Sequence, residues 1–249
     1  MNIPIGTNHS GEVVTLGGAC GLVSILGMSG TGKSKVVEKM ASALIEQGAG
    51  GILIDPFGDI ASAVLKQVSK SRRLKVATFR VRVGTAKENV ARFAKEIHFS
   101  EMKKDAGKFL LCTLDYPTVG AADAREIGIA ILGRFSKTVG SSGRAVVVDE
   151  ASNFVETEKL AAMMGDRKKT LWILANTTLN RYKDSDAKAV VRDADSLISL
   201  RVDKRTAGFV SADGKVGAKA DTLAAQEKFR MTARLAGMKK PMALSVVYP

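Results

Sequence analysis

Residues 27–34 read GMSGTGKS and directly follow the apolar run LVSIL at residues 22–26. The eight residues fill every fixed position of the pattern G-x-x-x-x-G-K-[ST], in which successive backbone N–H groups converge on a phosphate. The lysine of this pattern, Lys33, reaches the β and γ oxygens, and the serine, Ser34, ligates Mg²⁺. The stretch therefore predicts a nucleotide-binding loop, although a glycine-rich turn without a ligand is the alternative. The candidate phosphate-binding residues are Gly27, Met28, Ser29, Gly30, Thr31, Gly32, Lys33 and Ser34.

The three glycines of the loop are expected to adopt backbone conformations that residues with a Cβ avoid. A helix is predicted to leave the loop at residues 34–47, because its apolar residues recur on one face and glycine follows it at Gly48 and Gly50. A buried strand, a glycine-rich turn and a helix thus succeed one another, which is the local structure that a phosphate-binding loop requires.

Length and composition favour a single α/β domain spanning residues 1–249, because 45% apolar residues suffice for one substantial core. The sequence has no apolar run of the roughly 20 residues that a membrane span needs, so no transmembrane segment is expected. The N-terminus lacks the pattern of a signal peptide, and a soluble, cytoplasmic protein is expected. The two cysteines and two histidines are scattered and predict no metal cluster.

The net charge of +13 is distributed unevenly along the chain. It amounts to −2 over residues 1–65, +9 over 66–108, 0 over 109–200 and +6 over 201–249. Two basic blocks outside the nucleotide-binding start suit a surface that binds a polyanion, because neutralising phosphates dominates nucleic-acid affinity. A solvated basic surface that aids solubility is the alternative.

Apolar runs alternate with helical patterns, which predicts an α/β fold with a mainly parallel sheet and helices on both faces. In the run 75–83, Phe79, Val81 and Val83 alternate with arginines, so this strand lies either at a charge-guarded edge or against nucleic acid. The predicted strands are Gly21–Leu26, Gly51–Ile54, Lys75–Val83, Phe109–Leu114, Arg144–Val148, Leu171–Ala175, Ser196–Val202 and Met242–Val247.

The run RAVVVDE places Asp149 and Glu150 at the carboxyl end of a valine-rich strand, where open α/β sheets bind ligands. Asp149 would hold Mg²⁺ opposite Ser34, and Glu150 would orient and partly deprotonate the water that attacks the γ-phosphate. At least two predicted strands separate this strand from the phosphate loop along the chain. That spacing suits the ATPases in which an additional strand and a glutamate distinguish hydrolysing motors from kinases and GTPases.

Residues 55–58 (DPFG) match the D-x-x-G element of GTPases. The sequence contains no N-K-x-D guanine-reading element, and its DE pair comes much later than a GTPase would place it. It also contains no L-S-G-G-Q stretch of the ABC type, so neither class is favoured.

The order of several motifs resembles that of the FtsK/HerA ATPases. These motifs are IPIGTNHSGEVVTL, ILGMSGTGKS, ILIDPFGD, FLLCTLDYP, VVVDE and LISLRVDKRTAGFV, and together they cover residues 3 to about 210. The resemblance implies a RecA-like ATPase domain that binds ATP and Mg²⁺, forms a ring and moves double-stranded DNA. Members include cell-division translocases, resection motors, conjugation pumps and viral genome-packaging ATPases.

The same resemblance assigns phosphate binding to residues 27–34, metal binding to Asp149 and catalysis to Glu150. The family has a polar residue, often Gln, that senses the γ-phosphate at the end of the next strand. Here that strand reads LWILANTTLN, so Asn176 or Thr177 would take the role.

A segment resembling DSRT carries the family's arginine finger, which acts on the neighbouring subunit. Asp203-Lys204-Arg205-Thr206 matches it here, so Arg205 is the candidate finger, with Arg192 and Arg201 as competitors and a surface role as the alternative. Residues 166–169 (DRKK) and the basic block 66–108 are candidate channel loops or solvated outer surfaces.

A finger supplied by a neighbour predicts a ring, most simply a hexamer. The sequence is therefore interpreted as a DNA-translocating ATPase, and within that class as a compact packaging ATPase in the host cytoplasm or at a virion vertex, with a capsid or membrane-vertex protein as partner. The alternatives are a HerA-like resection motor, a conjugation, secretion or filament-extrusion ATPase, and a nucleotide-dependent switch with negligible turnover.

Overall fold

A computed structural model describes residues 1–18, 21–139, 143–153 and 169–246. Within these ranges, the strands form one eleven-stranded sheet. The strands are β1 (Asn2–Thr7), β2 (Val13–Gly17), β3 (Gly21–Leu26), β4 (Gly51–Asp55), β5 (Val76–Arg80), β6 (Phe109–Thr113), β7 (Arg144–Val148), β8 (Thr170–Asn176), β9 (Ser196–Ser199), β10 (Arg230–Arg234) and β11 (Met242–Ser245). The described helices are α1 (Lys33–Glu46), α2 (Asp59–Gln67), α3 (Lys70–Arg73), α4 (Ala86–Glu96), α5 (Phe99–Lys104), α6 (Tyr116–Val119), α7 (Ala121–Val139), α8 (Asp184–Arg192), α9 (Lys204–Asp213) and α10 (Ala220–Ala224).

The sheet has a parallel part and an antiparallel flank. Its strand order is β2-β1-β11-β10-β9-β3-β8-β7-β4-β6-β5. The strands from β9 to β5 are parallel, and β10, β11, β1 and β2 add to the β9 edge in antiparallel pairs. The mainly parallel fold class is therefore confirmed.

Helices cover both faces of the sheet, as predicted. Alternate residues of β3 point to opposite faces, so Val23 and Ile25 pack with α1 and α2 while Leu22 packs on the other side. The second core contains Trp172 together with Phe93 of α4 and Phe135 of α7. Burial on both faces explains why the parallel strands read as continuous apolar runs.

The antiparallel flank was largely missed by the sequence patterns, which predicted β11 but neither β1, β2 nor β10. In β1 a proline and a glycine interrupt the apolar residues Ile3 and Ile5, both of which are fully buried. In β10, Met231 and Ala233 are buried and alternate with polar residues over a short span. Neighbouring elements supply the surface that buries these strands, so their own sequence patterns do not reveal them.

Strand β5 forms one edge of the sheet, as the edge interpretation predicted. Phe79 and Val81 are buried, but Val83 is 86% exposed, so the prediction that it shares their apolar face is wrong. The strand ends at Arg80, and the alternation therefore stops before Val83. The basic block 66–108 runs through this edge of the sheet. No helix within the described ranges is long and apolar enough to cross a membrane.

Strand β8 lies between β3, which leads into the phosphate loop, and β7, which carries the acidic pair. An additional strand between these two motifs was the arrangement expected from their spacing. Because all three strands are parallel, their carboxyl ends meet at the same edge of the sheet.

Candidate functional site

The phosphate loop is held by the ends of both neighbouring strands. The N–H of Gly27 donates to the carbonyl of Asn176 at 3.1 Å, and the N–H of Met28 donates to the carbonyl of Arg201 at 2.8 Å. Inside the loop, the Thr31 hydroxyl donates to the Met28 carbonyl at 2.7 Å. The loop is thus shaped by the protein's own hydrogen bonds, which preorganises it for a ligand.

Two of the three loop glycines have the backbone conformation predicted for them. Gly30 has φ +75° and Gly32 has φ +107°, values that a residue with a Cβ rarely adopts. Gly27 has no positive φ, so the prediction is wrong for this residue. Glycine is needed at residue 27 for a steric reason instead, because a Cβ there would lie 2.9 Å from Thr31 Oγ1 and 3.0 Å from Leu200 Cβ.

The lysine of the loop bridges both acidic residues. Lys33 Nζ lies 3.0 Å from Asp149 Oδ1 and 2.8 Å from Glu150 Oε1. The side chains of Lys33, Asp149 and Glu150 are 5%, 6% and 15% exposed, so the ion pairs are largely shielded from water. Residues separated widely in the sequence are thereby brought to one point, as the two motifs predicted.

Burial and ion pairing act against each other in this cluster. Burial alone lowers the pKa of Lys33, but the two carboxylates outweigh it and raise that pKa above its usual value. Burial would raise the pKa of Glu150, yet Lys33 and Thr177 together lower it. Burial raises the pKa of Asp149 despite its bond to Lys33. Lys33 is therefore charged, and Glu150 is ionised at neutral pH.

Glu150 is held in a strained conformation at the end of β7. Its φ is +49°, in the left-handed region that costs a non-glycine residue about 1–2 kcal/mol. Thr177 fixes its carboxylate from two positions: the N–H donates to Oε2 at 3.3 Å, and the hydroxyl donates to Oε1. The strain and these bonds together aim the carboxylate at the phosphate loop.

The two candidate sensor residues occupy different environments. Asn176 is fully buried, and its Oδ1 accepts bonds from Ser152 N at 2.7 Å and Tyr182 Oη at 3.2 Å. Thr177 lines the cavity beside the phosphate loop and contacts Glu150. The geometry therefore places Thr177 at the site and gives Asn176 a supporting position beneath it.

A cavity of about 370 Å³ opens above the loop and contains most of the predicted site. Gly27 and Thr31 belong to the loop but do not line the cavity, because both are buried. The lining comprises Met28, Ser29, Gly30, Gly32, Lys33, Ser34, Lys35, Phe57, Asp149, Glu150, Thr177 and Phe229. The sequence analysis did not assign Lys35, Phe57 or Phe229 to the site. Lys35 adjoins the GMSGTGKS motif and Phe57 lies within the DPFG element, so these two could have been suggested, whereas Phe229 belongs to no quoted motif.

The residues suggested for Mg²⁺ suit that ion. Ser34 and Asp149 line the same cavity, and both offer oxygen, the donor that Mg²⁺ prefers. A Mg²⁺ that arrives with substrate phosphates needs one or two protein ligands, with water and phosphate completing its shell. In the described part of the chain, no cluster of three or more His, Cys, Asp or Glu residues forms a separate metal site.

The DPFG element has a structural explanation. Asp55 is 1% exposed, and its carboxylate accepts bonds from the N–H groups of Phe57 at 3.0 Å and Ala61 at 2.8 Å. The carboxylate therefore shapes the turn into α2. Its oxygens are engaged by the backbone, unlike a metal-binding aspartate that faces the nucleotide.

Arg205 lies in the first turn of α9, on the outer surface, and not on a strand edge. Its guanidinium donates to the Asn180 carbonyl at 3.2 Å and lies 5.5 Å from the Phe209 ring centre. Asp203 caps this helix by accepting from the N–H of Thr206 at 3.0 Å. Among the described residues, none of the three candidate fingers lines the chain's own cavity. Of the proposed channel loop 166–169, residues 166–168 lie outside the described ranges.

Comparison with solved structures gives extensive matches at low sequence identity. VirB4 of Thermoanaerobacter pseudethanolicus matches 100% of this chain and 96% of its own, with 11% identity and a TM-score of 0.69. The plasmid coupling protein TrwB in complex with ADPNP matches 92% of this chain and 85% of its own, with 12% identity and a TM-score of 0.67.

A viral protein matches over nearly its whole length. The genome packaging NTPase B204 of Sulfolobus turreted icosahedral virus 2, in complex with AMPPCP, covers 93% of this chain and 100% of its own, with 12% identity and a TM-score of 0.57. No protein-family model matches the sequence, and no curated protein matches it by sequence. At such identities the structural matches establish the fold, and this chain has the fold of the FtsK/HerA-type P-loop ATPases.

Proposed function

We propose that this chain is an ATPase that hydrolyses ATP at the cavity above residues 27–34. The observation that carries the proposal is the meeting of Lys33 with Asp149 and Glu150 at 3.0 and 2.8 Å, at the mouth of a preformed phosphate loop. A phosphate cradle, oxygen ligands for a metal ion and a carboxylate base then share one cavity. A nucleotide switch needs the first two of these features but has no use for a positioned base.

Lys33 acts first, by exchanging its carboxylate partners for the phosphate oxygens of the bound nucleotide. Its charge then neutralises the β and γ phosphates. Glu150, released from the lysine but still held by Thr177, orients the attacking water and accepts its proton. Before the nucleotide binds, Lys33 and Thr177 lower the pKa of Glu150, so the carboxylate is already in the ionised form that a base requires.

Ser34 and Asp149 are the residues that would hold Mg²⁺. When bound, that ion would supply positive charge to offset the charge that develops on the phosphate oxygens. Asp149 is suited to the role because it is 4% exposed and already paired with a cation in this structure.

Arg205 completes the site of a neighbouring subunit in this proposal. The cavity lining in the described residues includes lysines but none of the candidate arginines, and Arg205 lies on an exposed helix end. An arginine supplied in trans stabilises the transferred phosphoryl group. It also requires the subunits to assemble in a ring, for which six is the simplest number.

Double-stranded DNA is the proposed cargo. The structural neighbours include a genome packaging NTPase and a plasmid coupling protein, which supports movement of DNA by this fold. The net charge of +13, concentrated in residues 66–108 and 201–249, supports a polyanionic partner. Within this class we favour genome packaging, with docking to a capsid or membrane-vertex protein in the host cytoplasm or at the virion vertex.

A conjugation or secretion ATPase is the second candidate. It is favoured by the TM-scores, which are 0.69 for VirB4 and 0.67 for TrwB but 0.57 for B204. Mutual coverage does not separate the two candidates, because it is 93% and 100% with B204 and 100% and 96% with VirB4.

The test is ATP turnover by the purified protein with and without double-stranded DNA, beside the Glu150→Gln variant. We expect DNA to raise turnover several-fold, and we expect the variant to bind ATP but lose at least a hundredfold in kcat. Unchanged turnover in Glu150→Gln would remove the assigned base. If DNA does not change the turnover and the protein shows no salt-sensitive DNA binding, the chain would be an ATPase with a different cargo.

A further inference from the structure

Phe229 is an aromatic residue at the nucleotide cavity that comes from the antiparallel flank of the sheet. It immediately precedes β10, and the residue is 37% exposed. Its N–H donates to the carbonyl of Thr31 at 3.0 Å, and its carbonyl accepts from the N–H of Val246 at 2.8 Å. The residue is thus fastened on one side to the phosphate loop and on the other to the chain that follows β11.

The backbone of Phe229 has φ +63°, in a region that non-glycine residues rarely occupy. Its ring lies directly against the loop, since a Cβ added to Gly32 would come within 2.8 Å of Phe229 Cδ1. A strained backbone thus presents a large apolar ring to the cavity. A residue that served the fold alone would gain more from burying this ring.

The sheet order places Phe229 at the opposite end of the cavity from the acidic pair. Glu150 and Thr177 follow β7 and β8, on one side of β3, whereas Phe229 precedes β10, on the other. Neighbouring strands are about 4.8 Å apart, and β9, β3 and β8 lie between β10 and β7, so the acidic pair and Phe229 reach the cavity from well-separated strand ends. The bonds of Lys33 to the acidic pair mark the end that receives the terminal phosphate.

Helix α1 begins between the two ends of the cavity, and its N-terminus faces the phosphates that lie between the terminal phosphate and the nucleoside. The nucleoside must therefore lie towards Lys35 and Phe229. We infer that Phe229 stacks on the base of the bound purine nucleotide, an inference that rests on the proposed function of the cavity. Stacking uses the face of the base, which adenine and guanine share.

The test compares three ligands: ATP, GTP and inorganic tripolyphosphate, which has no base. Affinities are measured by calorimetry for the wild-type protein and for Phe229→Asn, chosen because asparagine tolerates positive φ. We expect the variant to bind ATP and GTP roughly tenfold more weakly and tripolyphosphate as tightly as the wild type does. Phe229→Tyr should restore both nucleotide affinities.

Phe57 provides the matched control. It is another exposed aromatic residue lining the same cavity, and its ring packs edge-on against Tyr116 with centres 5.6 Å apart. Phe57 follows β4, which lies beyond β7 and therefore at the acidic-pair end of the cavity, so Phe57→Ala should change the affinities for ATP and tripolyphosphate by the same factor.

Three results would overturn the inference. Equal losses for tripolyphosphate and ATP in Phe229→Asn would mean that the residue acts by supporting Thr31, and unchanged ATP affinity would mean that the ring makes no contact. A wild-type protein that bound neither triphosphate would refute both the stacking role and the proposed function. Base-dependent losses without any ATP hydrolysis would uphold the stacking role and refute the ATPase.

Discussion

At the scale of single residues, the decisive feature is that Lys33 is neutralised by Asp149 and Glu150. Three charged side chains are buried here at a cost that is offset only while they remain together. In the proposed mechanism, nucleotide binding replaces one set of anions around the lysine by another, so the lysine stays paired throughout. Glu150 would then lose its cation at the moment when the mechanism needs it as a base.

The low pKa of Glu150 predicts a pH-dependent contribution to stability. Its folded pKa lies below the usual 4.5, so its ionised form stabilises the nucleotide-free fold above pH 4.5, and this contribution is lost as the pH falls through the folded pKa. Chemical unfolding of the wild type and Glu150→Gln from pH 7 downwards should show a stability difference that shrinks below pH 4.5. Glu150 also raises the pKa of Asp149, so the same comparison in an Asp149→Asn background isolates the contribution of Glu150.

A stability difference that stayed constant down to pH 3 would contradict this prediction. It would mean that the Glu150 carboxylate gains nothing from Lys33 and Thr177.

Thr177 offers a second test at the residue scale. Thr177→Val removes the hydroxyl that donates to Glu150 and keeps the shape of the side chain. A hydrogen bond to a charged group contributes about 1.5–3 kcal/mol, so we expect kcat to fall by roughly tenfold or more with little change in KM. Thr177→Ser, which keeps the hydroxyl, is the control. Equal activity of both variants would exclude the hydroxyl from positioning the base.

At the scale of elements, the helix that carries Arg205 depends on its N-cap. The Asp203 carboxylate accepts from the N–H of Thr206 at 3.0 Å, from its hydroxyl at 2.7 Å and from the hydroxyl of Thr178 at 2.8 Å. One side chain therefore ties α9 to the segment that follows β8. The segment DKRT joins a helix cap and an exposed arginine within four residues.

Asp203→Ala should lower the free energy of unfolding by about 1–2 kcal/mol, because it removes the cap and leaves the Thr206 N–H without its partner. Asp203→Asn, which can still cap, should lose much less. Urea unfolding measures both. If Asp203→Ala proved as stable as the wild type, the cap would not hold α9 in place.

The elements around the site were predictable from sequence, whereas the antiparallel flank was not. The run GMSGTGKS and the pair Asp149–Glu150 are local patterns, and each predicts where the strand before it ends. Phe229 belongs to no local pattern. Its position follows from the pairing of β10 with β9 and β11, which depends on contacts between distant parts of the chain. The contact of Glu150 with Thr177 likewise joins residues that follow different strands and cannot be read from the sequence of β7.

At the scale of the whole molecule, the proposed ring makes a prediction about mixed assemblies. Arg205→Ala should spare ATP binding but reduce turnover, and Glu150→Gln should also be inactive. In an equal mixture, about a quarter of the interfaces would join an intact Glu150 to an intact Arg205, so partial activity should return. Complete inactivity of the mixture would argue against action in trans.

Arg192 supplies the control for that experiment. It is exposed, and it forms an ion pair with Asp193 at 2.9 Å at the end of α8. The unmixed Arg192→Ala variant should keep wild-type turnover, because the proposed arginine finger is Arg205. A loss of turnover in Arg192→Ala with none in Arg205→Ala would transfer the role to Arg192.

The hydrogen bonds from Phe229 to Thr31 and from Val246 to Phe229 also bear on the order of synthesis and folding. The phosphate loop is synthesised well before Phe229 and Val246, which brace it. Contacts between such distant residues form late, because they must wait for a long chain segment to close. A nascent chain that ends before β10 would carry the complete GMSGTGKS motif without this brace, so nucleotide binding would mature only after Phe229 and Val246 have been made.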